Sequence, residues 1–385
     1  MKLVAQKNGS ADPTLHDPHA NIVRMASHRS QSFSTEESPA QRLDARIVNP
    51  LVDSEWDEWV GSHPEASIFH SAAWARVLVE TYGHQPCYLR ICVPGELVAL
   101  VPIMEVQSLL TRLRGVCMPF SDYCRPLLFS RLCQTAVMEK LRQVARERSW
   151  HYLELRGDSL MPPEAVAAEV YYGHSLVLRP AVELFAHFTS SVQRAIRKAE
   201  KMGLSAEIHS TPEAMSDFYR LHVRTRRRHG VPPQPKSFFA SIQRNIIEPG
   251  LGFIVLVRRG CEAIATAMFF KSEATALYKF GASDERAQEF RGNNLAMWKA
   301  IEFLTQAGAK ILHFGRTNLE NEGLRRFKLS WGTTEEKIRY GKFSISADSW
   351  MGPQSYRVTF HNRVFRALPT SANRLAGVLI YPHLD

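Results

Sequence analysis

Polar side chains crowd the start of the chain. Residues 1–45 are rich in Ser, His, Asp, Asn and Gln, with few large apolar positions between them. Such a segment buries too little apolar surface to offset the entropy of ordering, so a disordered leader is expected. Folded structure is expected to begin near Ala45-Arg46-Ile47-Val48. From there the apolar pattern lays out one plan twice. In the first half, Asp53-Ser54-Glu55-Trp56 opens a short helix, and Ser71-Ala72-Ala73-Trp74 opens another that stops at Gly83. Pro86 to Val93 and Leu97 to Val106 read as strands separated by a Pro94-Gly95 turn. After a loop containing Pro119 and Pro126, Thr135 to Arg148 has helical periodicity. Trp150 to Leu155 then has the length of a buried strand.

The second half follows the same order. Ser190 to Met202 is helical and Gly203 is placed to end it. Thr211-Pro212 starts the next helix, with the threonine as cap and the proline in the first turn, and Gly230 closes it. Phe253 to Arg258 and Ala263 to Phe270 flank Arg259-Gly260 as a hairpin, and Ala276 to Phe280 adds a third strand. Asn294 to Ala307 is a helix ended by Gly308, and Lys310 to Phe314 is a strand. A strand–helix–strand connection favours a right-handed parallel crossover. Each half is therefore expected to form a mixed sheet with helices packed on it, an α/β class with α+β mixed sheets. The expected divisions are a leader at 1–45, domains at 46–180 and 181–345, and an extension at 346–385 packed back on them.

The 385 residues, 45% of them hydrophobic, supply the core of about two domains. A net charge of +10 favours anionic partners such as phosphates, tRNA or nucleotide-linked sugars, without choosing among them. The cysteines (Cys87, Cys92, Cys117, Cys124, Cys133 and Cys261) form no C-x-x-C pair and no zinc-finger spacing. Neither a disulfide framework nor a metal site is expected. No apolar run has the length of a signal peptide or a membrane span. A cytoplasmic protein is expected, one that meets any membrane-bound substrate from the inner face.

Several segments, in order, carry a resemblance. Ile68-Phe69-His70-Ser71 stands with Trp74, and Pro119-Phe120-Ser121-Asp122-Tyr123 follows. Next come the helix from Gln193 to Leu204 (QRAIRKAEKMGL) and Phe218-Tyr219-Arg220-Leu221 with Thr225-Arg226. Phe314-Gly315-Arg316-Thr317, Gly323-Leu324 and Phe327-Lys328-Leu329-Ser330-Trp331-Gly332 end the series. Together, over about residues 48 to 340, they resemble the FemAB-like family of the GNAT superfamily. The tail, Leu368-Pro369 and Arg374-Leu375-Ala376-Gly377, is similar too. The subgroup linked with bacterial exopolysaccharide and exosortase systems resembles it most. Peptidoglycan-bridge enzymes carry a helical arm in the second domain that this sequence lacks.

The resemblance implies two tandem GNAT-like domains and transfer of an acyl or aminoacyl group to an amine. The donor would be aminoacyl-tRNA or acyl-CoA, with no permanently bound cofactor. The acceptor would be an anionic nucleotide- or lipid-linked precursor. Contact with tRNA or with the membrane surface is compatible with this; DNA is not expected. Such chemistry needs a held donor, a positioned amine and a stabilised oxyanion.

Candidate residues follow. Arg194, Arg197, Lys198 and Lys201 recur at spacings of three and four, which puts them on one broad helix face suited to phosphate or to solvent. Lys328 is a candidate catalytic and substrate-binding residue, because it matches the lysine that relatives use on an acceptor phosphate; the alternative is a stem lying on apolar surface. Trp331 belongs to the same motif. Arg316 follows a strand, where open α/β sheets bind ligands, or pairs with an acid. Asp122 is the candidate general base or amine-orienting carboxylate, or a turn cap. Tyr278 and Tyr123 offer hydroxyls, or pack as aromatics. Arg291-Gly292-Asn293 stands where GNAT enzymes hold the coenzyme A pyrophosphate, but its glycine spacing differs, so both donor classes stand. Arg224 and Arg226 to His229 form a second basic run at a helix end, suited to the helix dipole, tRNA or anionic lipid. The competing class is a non-catalytic basic module that binds tRNA or anionic lipid and transfers nothing.

Overall fold

The computed structural model describes residues 43–108, 111–130, 133–272, 274–353 and 359–383. The expected leader falls almost wholly outside them, and structure begins with β1 (Asp44–Val48). α1 (Trp56–Gly61) is followed by α2 (Ala72–Tyr82), which Ser71 caps by accepting from the Trp74 N–H. β2 (Gln85–Pro86), β3 (Tyr88–Val93) and β4 (Glu96–Val101) come next. The run expected as one strand to Val106 breaks at Pro102, which has no N–H for a ladder, and β5 (Met104–Ser108) joins a different sheet. β6 (Arg112–Val116), β7 (Leu127–Leu128), α3 (Gln134–Glu147), β8 (Tyr152–Arg156) and β9 (Glu169–Val177) follow.

In the second half, α4 (Ala181–His187) and α5 (Ser190–Lys201) precede β10 (Ser205–His209). α6 (Pro212–Arg228) starts as its sequence predicts, with the Thr211 side chain accepting from the Ala214 N–H. α7 (Lys236–Ile242), β11 (Gly252–Arg259), β12 (Glu262–Lys271) and β13 (Thr275–Ser283) lead to α8 (Gly292–Gln306). β14 (Ile311–Asn318), α9 (Glu322–Leu329), β15 (Thr334–Ser344) and β16 (Ser349–Met351) follow. α10 (Thr359–Ala367) and α11 (Thr370–Ile380) come last.

Among the described residues the strands form a 4-stranded sheet, β1-β3-β4-β7, and a 12-stranded sheet. The larger runs β10-β11-β12-β13-β14-β9-β15-β8-β6-β5-β2, with β16 beside β15. The expectation of one sheet per half is therefore corrected. β9, from before residue 180, pairs antiparallel with β14, and β15 lies between β9 and β8. Each half hands its last strand to the other, so backbone groups that would form edges are paired instead. Trp74 in α2 is fully buried and meets Phe238 and Phe270 of the second half at 6.0 and 5.8 Å, so the halves share a core. A second apolar cluster lies under α5 and α8, around Ile196, Ile301 and Trp331.

Candidate active site

β13 and β14 are parallel neighbours, in register only from Thr275 opposite Ile311 to Leu277 opposite His313. Beyond that point both strands are irregular. β13 carries Lys279 as an extra residue, because Phe269 and Met268 of β12 face Tyr278 and Phe280. β14 carries two residues, Phe314 and Gly315, across from the one residue of β9 between Ser175 and Gly173. Bulges bend a strand and re-aim its side chains. Here two of them lie side by side.

The loop after β6, from the first half, delivers Asp122 to this place. Lys279 Nζ donates to Asp122 Oδ2 at 2.6 Å, and the Arg316 backbone N–H donates to Oδ1 at 3.4 Å. Gly315 has φ 68°, and a Cβ added there would lie 3.2 Å from Asp122 Oδ1. Glycine is needed both for the conformation and for the approach of the carboxylate. The loop is clamped from three directions: Arg156 Nη1 donates to Ser121 O (3.0 Å), Tyr340 Oη to Asp122 O (2.7 Å) and Lys279 Nζ to Phe120 O (2.7 Å). Met118 and Phe120 both sit at φ 59°. Left-handed non-glycine backbone costs about 1–3 kcal/mol per residue, and these clamps hold it in place.

Burial pushes the Asp122 carboxyl up, but Lys279, Arg316 and Lys328 outweigh it and hold the group below the ordinary carboxylate range. Lys279 is drawn down by burial, partly restored by Asp122. The two form an ion pair at 2.6 Å. Lys328 is buried, and its Nζ donates to Gly315 O (2.8 Å) and Arg316 O (3.0 Å). Burial lowers this ammonium to about 8, so it stays mostly charged at neutral pH.

Two openings are linked through Phe327 and Lys328. One is a cavity of about 250 Å³ whose polar lining includes Asp122, Tyr123, His313 and Glu336, against apolar Leu277 and Ile338. Alternation along β14 sends Leu312 and Phe314 into the core under α8, leaving His313 and Gly315 on the cavity wall. His313 is reached by solvent yet crowded by protein, and the crowding lowers its imidazole and keeps it neutral. His70 also lines this cavity and is fixed. Its Nδ1 accepts from the Ser67 N–H (3.1 Å) and its Nε2 donates to Arg125 O (2.9 Å); burial lowers it to about 4.

The other opening is a groove of about 420 Å³ between α5, the start of α8 and α9. Arg194, Lys198, Arg291, Asn294 and Phe327 line it. The unpaired N–H groups of a helix start attract anions, and the three cations add to that field. Phe327 faces the groove, while the next residue, Lys328, grips Gly315 in the cavity wall. Lys328 thus stands between the two openings.

The candidates named from sequence divide accordingly. Arg194, Lys198 and Arg291 come together in the groove, and Asp122 lines the cavity. Arg197 lies over the Phe185 ring at 5.2 Å, outside the groove. Asn293 donates to Ser283 Oγ (3.3 Å), and the groove residue is Asn294 instead. Gly292 is buried where a Cβ would meet that of Ala265 at 2.9 Å, so it serves helix–sheet packing. Tyr278 packs on Phe269 and Phe314, with its hydroxyl over Gly281; burial raises it to about 12. Arg316 lies over the rings of Tyr171 (4.6 Å) and Tyr340 (5.3 Å) and donates to Tyr340 Oη. Trp331 is fully buried against Phe188 and does not line the cavity or the groove. Lys328 turns to backbone carbonyls, not to an opening. Lys279 and His313 were not anticipated. The alternation Leu312-His313-Phe314 was the available signal for His313; Lys279 had none, since its partner is 157 residues away.

Residues 186–335 match a family profile described as an acetyltransferase (GNAT) domain. No curated protein matches the sequence. Among solved structures, FemX superposes with a TM-score of 0.61 at 14% identity, over 77% of this chain and 96% of that one. A tandem GNAT protein from the clavulanic acid biosynthesis pathway superposes at 0.50 and 10% identity, covering 81% and 100%. L-PGS from Bacillus licheniformis does so at 0.50 and 11%, covering 82% and 96%. The expected tandem GNAT fold, an α/β architecture, is the one observed. Among the described residues no group of His, Cys, Asp and Glu could hold a metal ion, and no helix is long and apolar enough to cross a membrane.

Proposed function

We propose that this chain, a GNAT acyltransferase of FemAB-like tandem fold, transfers an acyl or aminoacyl group to an amine of an anionic cell-envelope or exopolysaccharide precursor. The observation that supports it most is that α9 ties a basic groove, lined by Phe327, to a cavity bearing Asp122 and His313, through the grip of Lys328 on Gly315. Arg194, Lys198 and Arg291 hold the donor's phosphates, which suits acyl-CoA and aminoacyl-tRNA alike. The acceptor amine enters through the cavity. Asp122, held anionic, accepts a hydrogen bond from the amine and orients it. His313, held neutral, takes the proton as the amine nitrogen bonds to the donor carbonyl carbon. The carbon–oxygen or carbon–sulfur bond to the donor then breaks, and the leaving group takes a proton. Lys279 at the bulge offsets the oxyanion charge. Lys328 acts through the backbone it grips and is a positioning residue. The reaction would take place in the cytoplasm, at or near the inner face of the membrane.

The test is transfer itself. The full chain is incubated with acyl-CoA or charged-tRNA pools and nucleotide- or lipid-linked amine acceptors, and the acceptors are weighed by mass spectrometry. The expected outcome is a mass gain of one acyl or aminoacyl residue. Arg194→Ala with Lys198→Ala should raise the donor KM about tenfold and leave kcat nearly unchanged. No gain from either pool, together with steeply salt-dependent tRNA binding, would make the chain a binding module.

A further inference from the structure

α11 leaves an apolar stripe uncovered. Asn373, Gly377 and Tyr381 pack inward, while Leu375, Val378 and Leu379 are 60%, 49% and 63% exposed. Their spacing of three and four puts them on one outer face. Val364 on α10 is exposed as well. The inward face is seated firmly: a Cβ on Gly377 would come within 2.0 Å of Pro233 O, and Arg226 donates to the Tyr381 hydroxyl at 2.7 Å.

At the start of α11 lies a cleft of about 550 Å³ lined by Arg224, Arg227, Arg228, Glu285, Arg366 and Thr370. Four guanidinium groups there face one carboxylate of the lining, and Arg224 also pairs with Asp284 at 3.0 Å. Thr370 is the first residue of α11, so the cleft lies at the start of the helix that carries the stripe. Single exposed leucines need no explanation. A helix stripe of three beside a cluster of arginines has the form of a helix lying in a lipid interface.

We propose that the α6 end, α10 and α11 form a docking surface for an anionic phospholipid bilayer. The arginines meet headgroup phosphates, and Leu375, Val378 and Leu379 enter the acyl boundary. A nucleic acid would satisfy the arginines and leave the leucines in water. A second copy would cover the leucines while bringing two arginine clusters together. The docking surface shares no lining residue with the groove or the cavity, and the proposal does not rest on the transfer site.

The full chain is floated with phosphatidylcholine vesicles, with and without phosphatidylglycerol. It should partition only onto the anionic vesicles. Arg227→Gln with Arg366→Gln should weaken partitioning about thirtyfold. Leu375→Ser with Leu379→Ser should weaken it roughly tenfold. Both double variants should keep the wild-type circular dichroism and transfer to a soluble acceptor at the wild-type rate. Equal partitioning of wild type and variants would overturn the proposal, as would equal binding to neutral vesicles. So would a dimer that the leucine variant dissociates, or tRNA binding lost in the arginine variant while no vesicle binds. Loss of transfer with intact vesicle binding would sink the transfer mechanism and leave the docking surface standing.

Discussion

The strand–helix–strand unit β6–α3–β8 and its counterpart β13–α8–β14 share a plan and differ in what occupies the space beyond the parallel strands. In the first unit that space is filled. Glu154 and Arg156 form a fully buried ion pair at 3.1 Å, and Arg156 stacks on Tyr340 at 5.4 Å. Trp150 lies so close over Gly115 that a Cβ there would be 2.4 Å from its ring. The first turn of α3, Gln134-Thr135-Ala136-Val137, carries no cation. In the second unit, bulges part the strands, a cavity and a groove open, and Arg291 precedes the helix. The loop after β6, free of any site in its own unit, reaches across to supply Asp122. The first unit thus supports the second.

Three substitutions test this difference. The largest effect is expected at the open unit: Asp122→Asn should lower kcat/KM at least about a hundredfold in steady-state assays. Lys279→Met should do the same, and the double variant should be no worse than the worse single, because the two act as one pair. A wild-type rate in Asp122→Asn would move the chemistry away from the bulges. Next comes the filled unit. Glu154→Gln leaves Arg156 buried beside a neutral partner, and removing one member of a buried pair costs about 3–5 kcal/mol. Thermal unfolding should show the loss, while turnover at low temperature is retained. Normal stability with lost turnover would erase the distinction between the units.

The smallest effect concerns Lys328. Its folded value, about 8, lies below the 10.5 of a free lysine, so the folded protein gives up that proton first. The charged form therefore costs stability below about 8. That cost is relieved as pH rises toward 10.5. Relative to Lys328→Met, the wild type should gain stability across that window, at most about 3 kcal/mol. Denaturant titrations at several pH values would show it; a flat or falling difference would mean that the carbonyls of Gly315 and Arg316 keep the ammonium at its ordinary value.

Much of the fold was legible in the chain. The Thr211 cap, the proline that follows it, Gly203 after α5 and the hairpin at Arg259-Gly260 are read from neighbours a few residues apart, and they form as read. β9 and β15 were not foreseen. β15 reads Thr-Glu-Glu-Lys-Ile-Arg-Tyr-Gly-Lys-Phe-Ser, with charges where a central strand ordinarily carries aliphatics. Two of those charges are paired in the fold: Glu335 with Arg325 (2.7 Å) and His174 (3.0 Å), and Lys342 with Glu154 (3.4 Å). The site divided in the same way. Arg194 and Lys198 were legible from helical spacing, whereas Trp331, named with them, went to the core because its indole fills the space beside Phe188.

The sequence by itself determined several helix caps and turns, the apolar faces of those elements, and that the chain is cationic, since each of these depends on local geometry or on simple sums. The tertiary structure alone decided that Asp122 meets Lys279, that Lys328 grips a bulge and that one of two like units stays open. Those outcomes depend on strands exchanged between halves. A contact across 157 residues has no energy until the intervening chain has folded.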